Sequence, residues 1–280
     1  MAIQLTDFLN SKPEPIPMLI GRGILPKRAK MIIGGQPKAN KSFVALNIML
    51  ALARHTPSVF SAMYKSGAPV LPVTQASRVL YLEQELGPWR LQSRLANICA
   101  GTSTASLPMF IKSRDMKLRL DEPDRNELIL EQIAECRPDV VVFDTFAKFH
   151  LKDENSAQEM GYVMRVLDNI IEDLNTSVIL VHHLSKPNPD PDQQKRGGAR
   201  LRGSSAIFGD VDTFMEVDRL SNEYVKEPIL QISFELRSDE PLEPFYCKRL
   251  KSGEVVWMGE DFVWGGKDRL PRRASKWGNV

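Results

Sequence analysis

The chain has 280 residues, with 37 Lys and Arg against 35 Asp and Glu, so its formal net charge is +2. Hydrophobic residues at 42% and charged residues at 26% are ordinary globular proportions and exclude a disordered or fibrous chain. The near-balanced charge excludes a uniformly basic nucleic-acid coat but leaves room for a local basic patch.

In chain order, residues 1–30 are punctuated by Pro13, Pro15, Pro17 and Pro26 and are expected to form an arm over the surface. Residues 1–10 contain Asp7 and lack the cationic start and apolar run of a secretory leader. A short buried strand over 31–33 leads into a Gly-rich stretch and then an apolar helix to about Arg54. Its apolar run, Phe43–Ala53, is broken by Asn47 and is too short to cross a bilayer, so no membrane partner is expected. A Pro- and Gly-punctuated connection over 56–76 precedes a strand at 78–82, a helix at 88–99 whose Pro88 suits a first turn, and a strand at 109–111. An amphipathic helix over 122–136, a strand over 140–143, a helix over 156–174 and a strand over 177–181 follow.

Alternating strands and helices, with strands apolar on both faces, predict an α/β fold with a mostly parallel sheet covered by helices. Beyond about residue 210, strands at 211–217, 229–236, 245–250 and 255–258 follow without helices, which predicts an antiparallel C-terminal extension. The expected organisation is an arm (1–30), one core domain (31–262) and a basic tail (263–280) carrying Lys267, Arg269, Arg272, Arg273 and Lys276. Cys99, Cys136 and Cys247 are scattered and form no C-x-x-C, which argues against a zinc or disulfide framework and suits a reducing, cytoplasmic setting.

The Gly-rich stretch, Gly35, Gln36, Pro37, Lys38, Ala39, Asn40, Lys41, Ser42 and then Phe43, fits the phosphate-loop pattern G-x-x-x-x-G-K-[ST] except that Asn40 replaces the second Gly. Backbone N–H groups at a helix N-terminus cradle phosphates, Lys41 neutralises the β- and γ-phosphates, and Ser42 ligates Mg²⁺. Asn is among the side chains that best tolerate a left-handed backbone, so it is the mildest replacement if the loop needs one there. Asp144 ends an apolar strand and is the candidate second Mg²⁺ ligand. Glu83 and Glu85 lie at another strand's C-terminal edge with the same parity. Either can be the carboxylate that activates water, and Glu85 is preferred as the one further out.

Taken in order, Gly35–Ser42, Tyr81–Glu85, Val141–Thr145, Phe149–Asn155, Leu180–His183 and Arg202–Ser205 resemble the RepA-like branch of the RecA-type ATPases, over about residues 20–215. The resemblance implies a RecA-like P-loop core binding ATP and Mg²⁺ between subunits of a homo-oligomeric, hexameric ring. It further implies Glu85 as the catalytic carboxylate, and His183, with His182 as the alternative, as the residue that senses the γ-phosphate and passes its state to the DNA loops. It places single-stranded DNA on two loops. One is residues 148–158, with Lys148, His150 and Lys152 but also Asp153 and Glu154. The other is residues 186–202, whose Lys186, Lys195, Arg196, Arg200 and Arg202 outnumber Asp190 and Asp192. The arginine that some plasmid helicases carry after Arg202–Ser205 is missing, and Arg237 is the candidate trans-acting finger. The implied function is an ATP-dependent replicative helicase or translocase of a plasmid or phage, with other replication proteins as further partners. The alternative is a regulatory or recombination accessory ATPase that does not unwind DNA.

Overall fold

The computed structural model describes residues 2–12, 14–114, 118–185, 198, 205–220, 226–237, 242–265 and 272–273. At its centre are β3 (Lys30–Gly35), β4 (Val79–Glu83), β5 (Met109–Ser113), β6 (Val140–Asp144), β7 (Ser177–His183), β8 (Thr213–Leu220), β9 (Ile229–Leu236), β10 (Phe245–Arg249) and β11 (Val255–Trp257). They form one nine-stranded sheet in the order β11-β10-β9-β8-β3-β7-β6-β4-β5. From β8 to β5 every pairing is parallel, while β9, β10 and β11 add on antiparallel. The sheet is therefore mostly parallel with an antiparallel extension, as the sequence predicts, but the extension starts one strand later than expected. The strand over 213–220 runs parallel to β3 because the chain crosses from β7, on the other side of β3, before entering it.

Strand alternation divides the core into two layers. Met31, Ile33, Val140, Val142, Ile179 and Val181 face one side, where they pack with α2 (Lys41–Arg54) and α3 (Pro88–Ile98). Ile32, Val141, Phe143, Val178 and Leu180 face the other, against α4 (Pro123–Cys136) and α5 (Ala157–Leu174). Such strands read as unbroken apolar runs because both faces are covered. Helix α5 buries Met160, Val163, Met164, Leu167, Ile170 and Ile171 at helical spacing, and the Ser156 hydroxyl accepts the Glu159 N–H (3.3 Å) as its N-cap. Both α3 and α4 begin with Pro, where the missing N–H costs nothing.

The expected arm is corrected in its second half. Strands β1 (Met18–Ile20) and β2 (Leu25–Pro26) pair as an antiparallel hairpin, and Leu19, Ile20, Ile24 and Leu25 are buried in the α2 layer. Only the stretch before it is surface chain, including α1 (Leu5–Asn10), which buries no residue. No helix among the described residues is long and apolar enough to cross a membrane.

Candidate nucleotide site

Parallel strands deliver their C-terminal ends to one edge, and the loops leaving β3, β4, β6 and β7 meet there. Gly34 and Gly35 end β3 where side chains do not fit: a Cβ on Gly34 would lie 2.5 Å from the Phe214 ring, and one on Gly35 2.5 Å from the Val217 carbonyl oxygen. The chain then turns through Gln36, Pro37, Lys38 and Ala39 into α2. Asn40 stands at the helix N-cap with φ +71°, the left-handed conformation that the missing glycine would have supplied. Its side-chain Nδ2 is buried with no hydrogen-bond partner among the described residues.

Lys41 is almost fully buried. Its ammonium donates to the carbonyls of Gly35 (2.8 Å) and Gln36 (3.1 Å) and lies 3.1 Å from His183 Nδ1. Burial pulls its pKa down to about 8, against the opposing pull of Asp144 and Glu85. Asp144 is buried at the end of β6 and accepts hydrogen bonds from the Tyr81 hydroxyl, from Ser42 and from Thr145. Burial pushes its carboxyl up and those hydrogen bonds pull it down. Tyr81 is held well above its usual range by burial and by Asp144. The Ser42 hydroxyl and the Asp144 carboxylate are adjacent hard oxygen donors, the set that suits Mg²⁺ when phosphate oxygens and water complete its shell.

The structure separates the two β4 acids. Glu83 is buried, and its carboxylate accepts the backbone N–H groups of Glu85, Leu86 and Gly87 and the Ser113 hydroxyl (2.8 Å). It holds the turn into α3 and has little freedom left. Glu85 is exposed to the cleft, and Thr145 Oγ1 donates to it (3.2 Å). The cleft, about 390 Å³, is lined by residues 38–43, Glu83, Glu85, Leu86, Asp144, Thr145 and His183, together with Arg94 and Arg219. Thus Gly35 to Phe43, Glu85, Asp144 and His183 come together. His182 points to the other face of the sheet.

Other expected site residues lie away from this cleft or outside the described residues. Arg237 follows β9, which runs antiparallel, and so it lies at the opposite sheet edge, roughly 20 Å along the strands from the cleft. There it donates to Asp212 (3.3 Å) and to the Gly209 carbonyl (2.8 Å), away from the cleft of its own chain, so any part it has in phosphate chemistry is the expected trans-acting one at a neighbouring subunit's cleft. His150 is buried against the Phe146 ring rather than presented to a nucleic acid. Lys186, Lys195, Arg196, Arg200 and Arg202 lie outside the described residues.

Sequence reasoning missed an arginine group at the cleft mouth. The guanidinium groups of Arg94 and Arg249 stack on Phe43, each 4.7 Å from the ring centroid, and Arg219 stands beside them. Burial and the like charges of Arg219 and Arg94 lower the Arg249 pKa. Arg94 follows Leu91 by one helical turn, and Arg219 continues the alternation Met215, Val217, so both could have been read from spacing. On the far side of Phe43, Asn47 donates to the Gly253 carbonyl (3.1 Å) and accepts the Val255 N–H (3.1 Å), which ties α2 to the last strands. A Cβ on Gly253, whose φ is +95°, would lie 2.7 Å from the Phe43 ring.

A phosphate loop, a strand-end Asp and a cleft at a parallel sheet edge define a P-loop nucleotide-binding fold. Residues 2–189 match the family model described as AAA domain, which is more than half of the chain, and the chain belongs to that family. Similar solved structures include a KaiC-like protein of the hyperthermophilic archaeon Pyrococcus horikoshii OT3, at 12% identity over 87% of this chain and 99% of that one, with a TM-score of 0.55. A DnaB-like replicative helicase, solved to show its interactions with primase, matches at 15% identity over 82% of this chain and 57% of that one, with a TM-score of 0.59. A further solved ATPase domain matches at 14% identity over 83% of this chain and 86% of that one, with a TM-score of 0.60. At these identities the likeness establishes the RecA-like fold. No curated protein matches.

Proposed function

We propose that the chain is an Mg²⁺-dependent ATP hydrolase that drives a DNA motor, most specifically a ring-forming replicative helicase or translocase of the RepA-like kind. The observation that carries the reading is the convergence of Lys41, Ser42, Asp144, Glu85 and His183 on one cleft. Mg²⁺, held by Ser42 and Asp144, supplies charge neutralisation at the β- and γ-phosphates when bound. Lys41 exchanges its contacts with the Gly35 and Gln36 carbonyls for phosphate oxygens. Glu85 aligns a water with the γ-phosphorus and takes its proton as the bond to the bridging oxygen breaks and ADP leaves. His183, in contact with Lys41, registers whether the γ-phosphate is present. The fold likeness to a DnaB-like replicative helicase supports assembly into a ring, with single-stranded DNA on the basic loop over 186–202.

Arg94 and Arg219 favour a second reading. Cationic charge already stands beside the phosphate tail within one chain, which suits an accessory ATPase that turns over without unwinding DNA. Turnover of ATP by the wild type and by Lys41→Ala, with and without single-stranded DNA, tests the assignment, together with the solution mass in ATP and Mg²⁺. Undiminished hydrolysis in Lys41→Ala would refute it. A mass near six subunits with DNA-stimulated turnover selects the motor, and slow, DNA-insensitive turnover selects the accessory ATPase.

A further inference from the structure

Strands inside a sheet have both edges paired, but β5 is an outermost strand and pairs only with β4. Val79 donates to the Pro108 carbonyl and Arg114 to the Glu83 carbonyl (both 2.8 Å), which fixes the phase of that ladder. Phe110 and Lys112 therefore turn their N–H and C=O groups towards β4. Ile111 and Ser113 turn theirs outward, where no strand pairs with them among the described residues.

The same edge borders a groove of about 560 Å³, lined by Leu91, Leu95, Ala96 and Cys99 of α3 and by Ile111 of β5. Ile111 is 43% exposed. Because α3 joins two parallel strands it runs back along them, so Trp89, 76% exposed, stands at the Ser113 end of the groove. Residues 86–114, which form the helix, the strand and the loop between them, carry Arg90, Arg94, Lys112 and Arg114 and not one Asp or Glu, in a chain whose charges otherwise nearly cancel. Arg94 belongs to the nucleotide cleft. Arg114 lies at the Trp89 end, its Cδ 3.8 Å from where a Cβ on Gly87 would stand. Lys112, next to Ile111 in the strand, faces the other side of the sheet.

We propose that β5 is a docking edge for an extended peptide of a partner protein, one in which apolar and acidic residues alternate. The peptide pairs with the outward N–H and C=O groups of Ile111 and Ser113 as an added strand. Its apolar side chains, all on one face, enter the groove against Leu91, Leu95 and Ile111. Its acidic side chains, on the opposite face, meet Lys112, and Arg114 receives a carboxylate at the strand end. The exposed apolar residues Leu5, Phe8 and Leu9 of this chain do not supply such a strand, because they lie on helix α1 with Asp7 as their one acid. The proposal is independent of the nucleotide reading.

Fluorescence anisotropy of the full chain with labelled peptides of about eight residues tests it. One peptide alternates Glu with Val and Phe, a second has Lys in place of Glu, and a third keeps Glu but has Pro in place of Val. The Glu–Val–Phe peptide binds, and the other two bind at least about tenfold more weakly. Ile111→Pro removes one outward N–H that the β4 ladder does not use, so it weakens binding at least about tenfold while Tm moves by about 2 °C or less. Arg114→Gln weakens binding about threefold and flattens its salt dependence. If Ile111→Pro unfolds the chain, Ile111→Glu, at an exposed position, decides the matter by placing a like charge in the groove. A wild type that does not bind the Glu–Val–Phe peptide, equal affinity for the Glu and Lys peptides, or undiminished binding by the deciding Ile111 variant overturns the proposal. So does a wild-type oligomer that the same variant converts to monomer in light scattering, which would give the edge to a second copy of the chain.

Discussion

Removing the Glu83 carboxylate distinguishes a structural acid from a catalytic one. In Glu83→Ala the N–H groups of Glu85, Leu86 and Gly87 and the Ser113 hydroxyl all lose their acceptor. An orphaned buried donor costs about 1–3 kcal/mol, and two of the three N–H groups are partly exposed and recover water, so the total is roughly 3–5 kcal/mol. With roughly 2.1 cal/mol/K of melting entropy per residue over 280 residues, that lowers Tm by about 5–8 °C. Glu85→Gln removes one exposed acceptor and should shift Tm by about 1 °C or less. Thermal melts followed by circular dichroism give the first quantity. Single-turnover hydrolysis of ATP, below the melting range of every variant, gives the second. Glu85→Gln should bind ATP and lose hydrolysis by at least about a hundredfold. A Glu83→Ala protein that melts with the wild type and cannot hydrolyse ATP would move the general base to Glu83 and refute this reasoning.

Asn40 offers a backbone test: Asn40→Gly should be within about 1 kcal/mol of wild type in denaturant titrations, whereas Asn40→Val, β-branched at φ +71°, should cost about 2 kcal/mol or more. Arg94→Gln and Arg219→Gln should each weaken ATP binding about three- to tenfold and reduce its salt dependence, read by calorimetry at two ionic strengths, while Arg237→Gln should leave it unchanged. Neutralising Lys195, Arg196 and Arg200 together should weaken single-strand binding and flatten its slope against salt, measured by fluorescence anisotropy.

Much of the frame was legible because its signals are local. Apolar runs marked the buried strands, and the left-handed tolerance of Asn explained the departure at position 40. What escaped depends on chain path. Glu83 and Glu85 share parity, and only the turn that aims three N–H groups back at Glu83 tells them apart. The direction of β9 follows from its hairpin with β8, so Arg237 was bound to finish at the far edge once β8 was known to run with β3. That pairing requires the crossover from β7, which no spacing announces. Asn47 was readable only as an interruption of an apolar helix, because its partners lie about 200 residues further on.

The Asn47 clasp also bears on where the chain can be cut. Gly253 and Val255 grip α2 one turn beyond Ser42, and the Arg249 side chain covers Phe43. The helix whose N-terminus faces the phosphates is thus steadied from the far end of the polypeptide. A protein ending at residue 220 would keep every group proposed to touch ATP and lose this brace, so the shortest competent unit is set by mechanics rather than by the reach of the motifs. Proteolysis just after β9 should cost nucleotide affinity without touching the cleft, and bound nucleotide should in turn slow that cleavage.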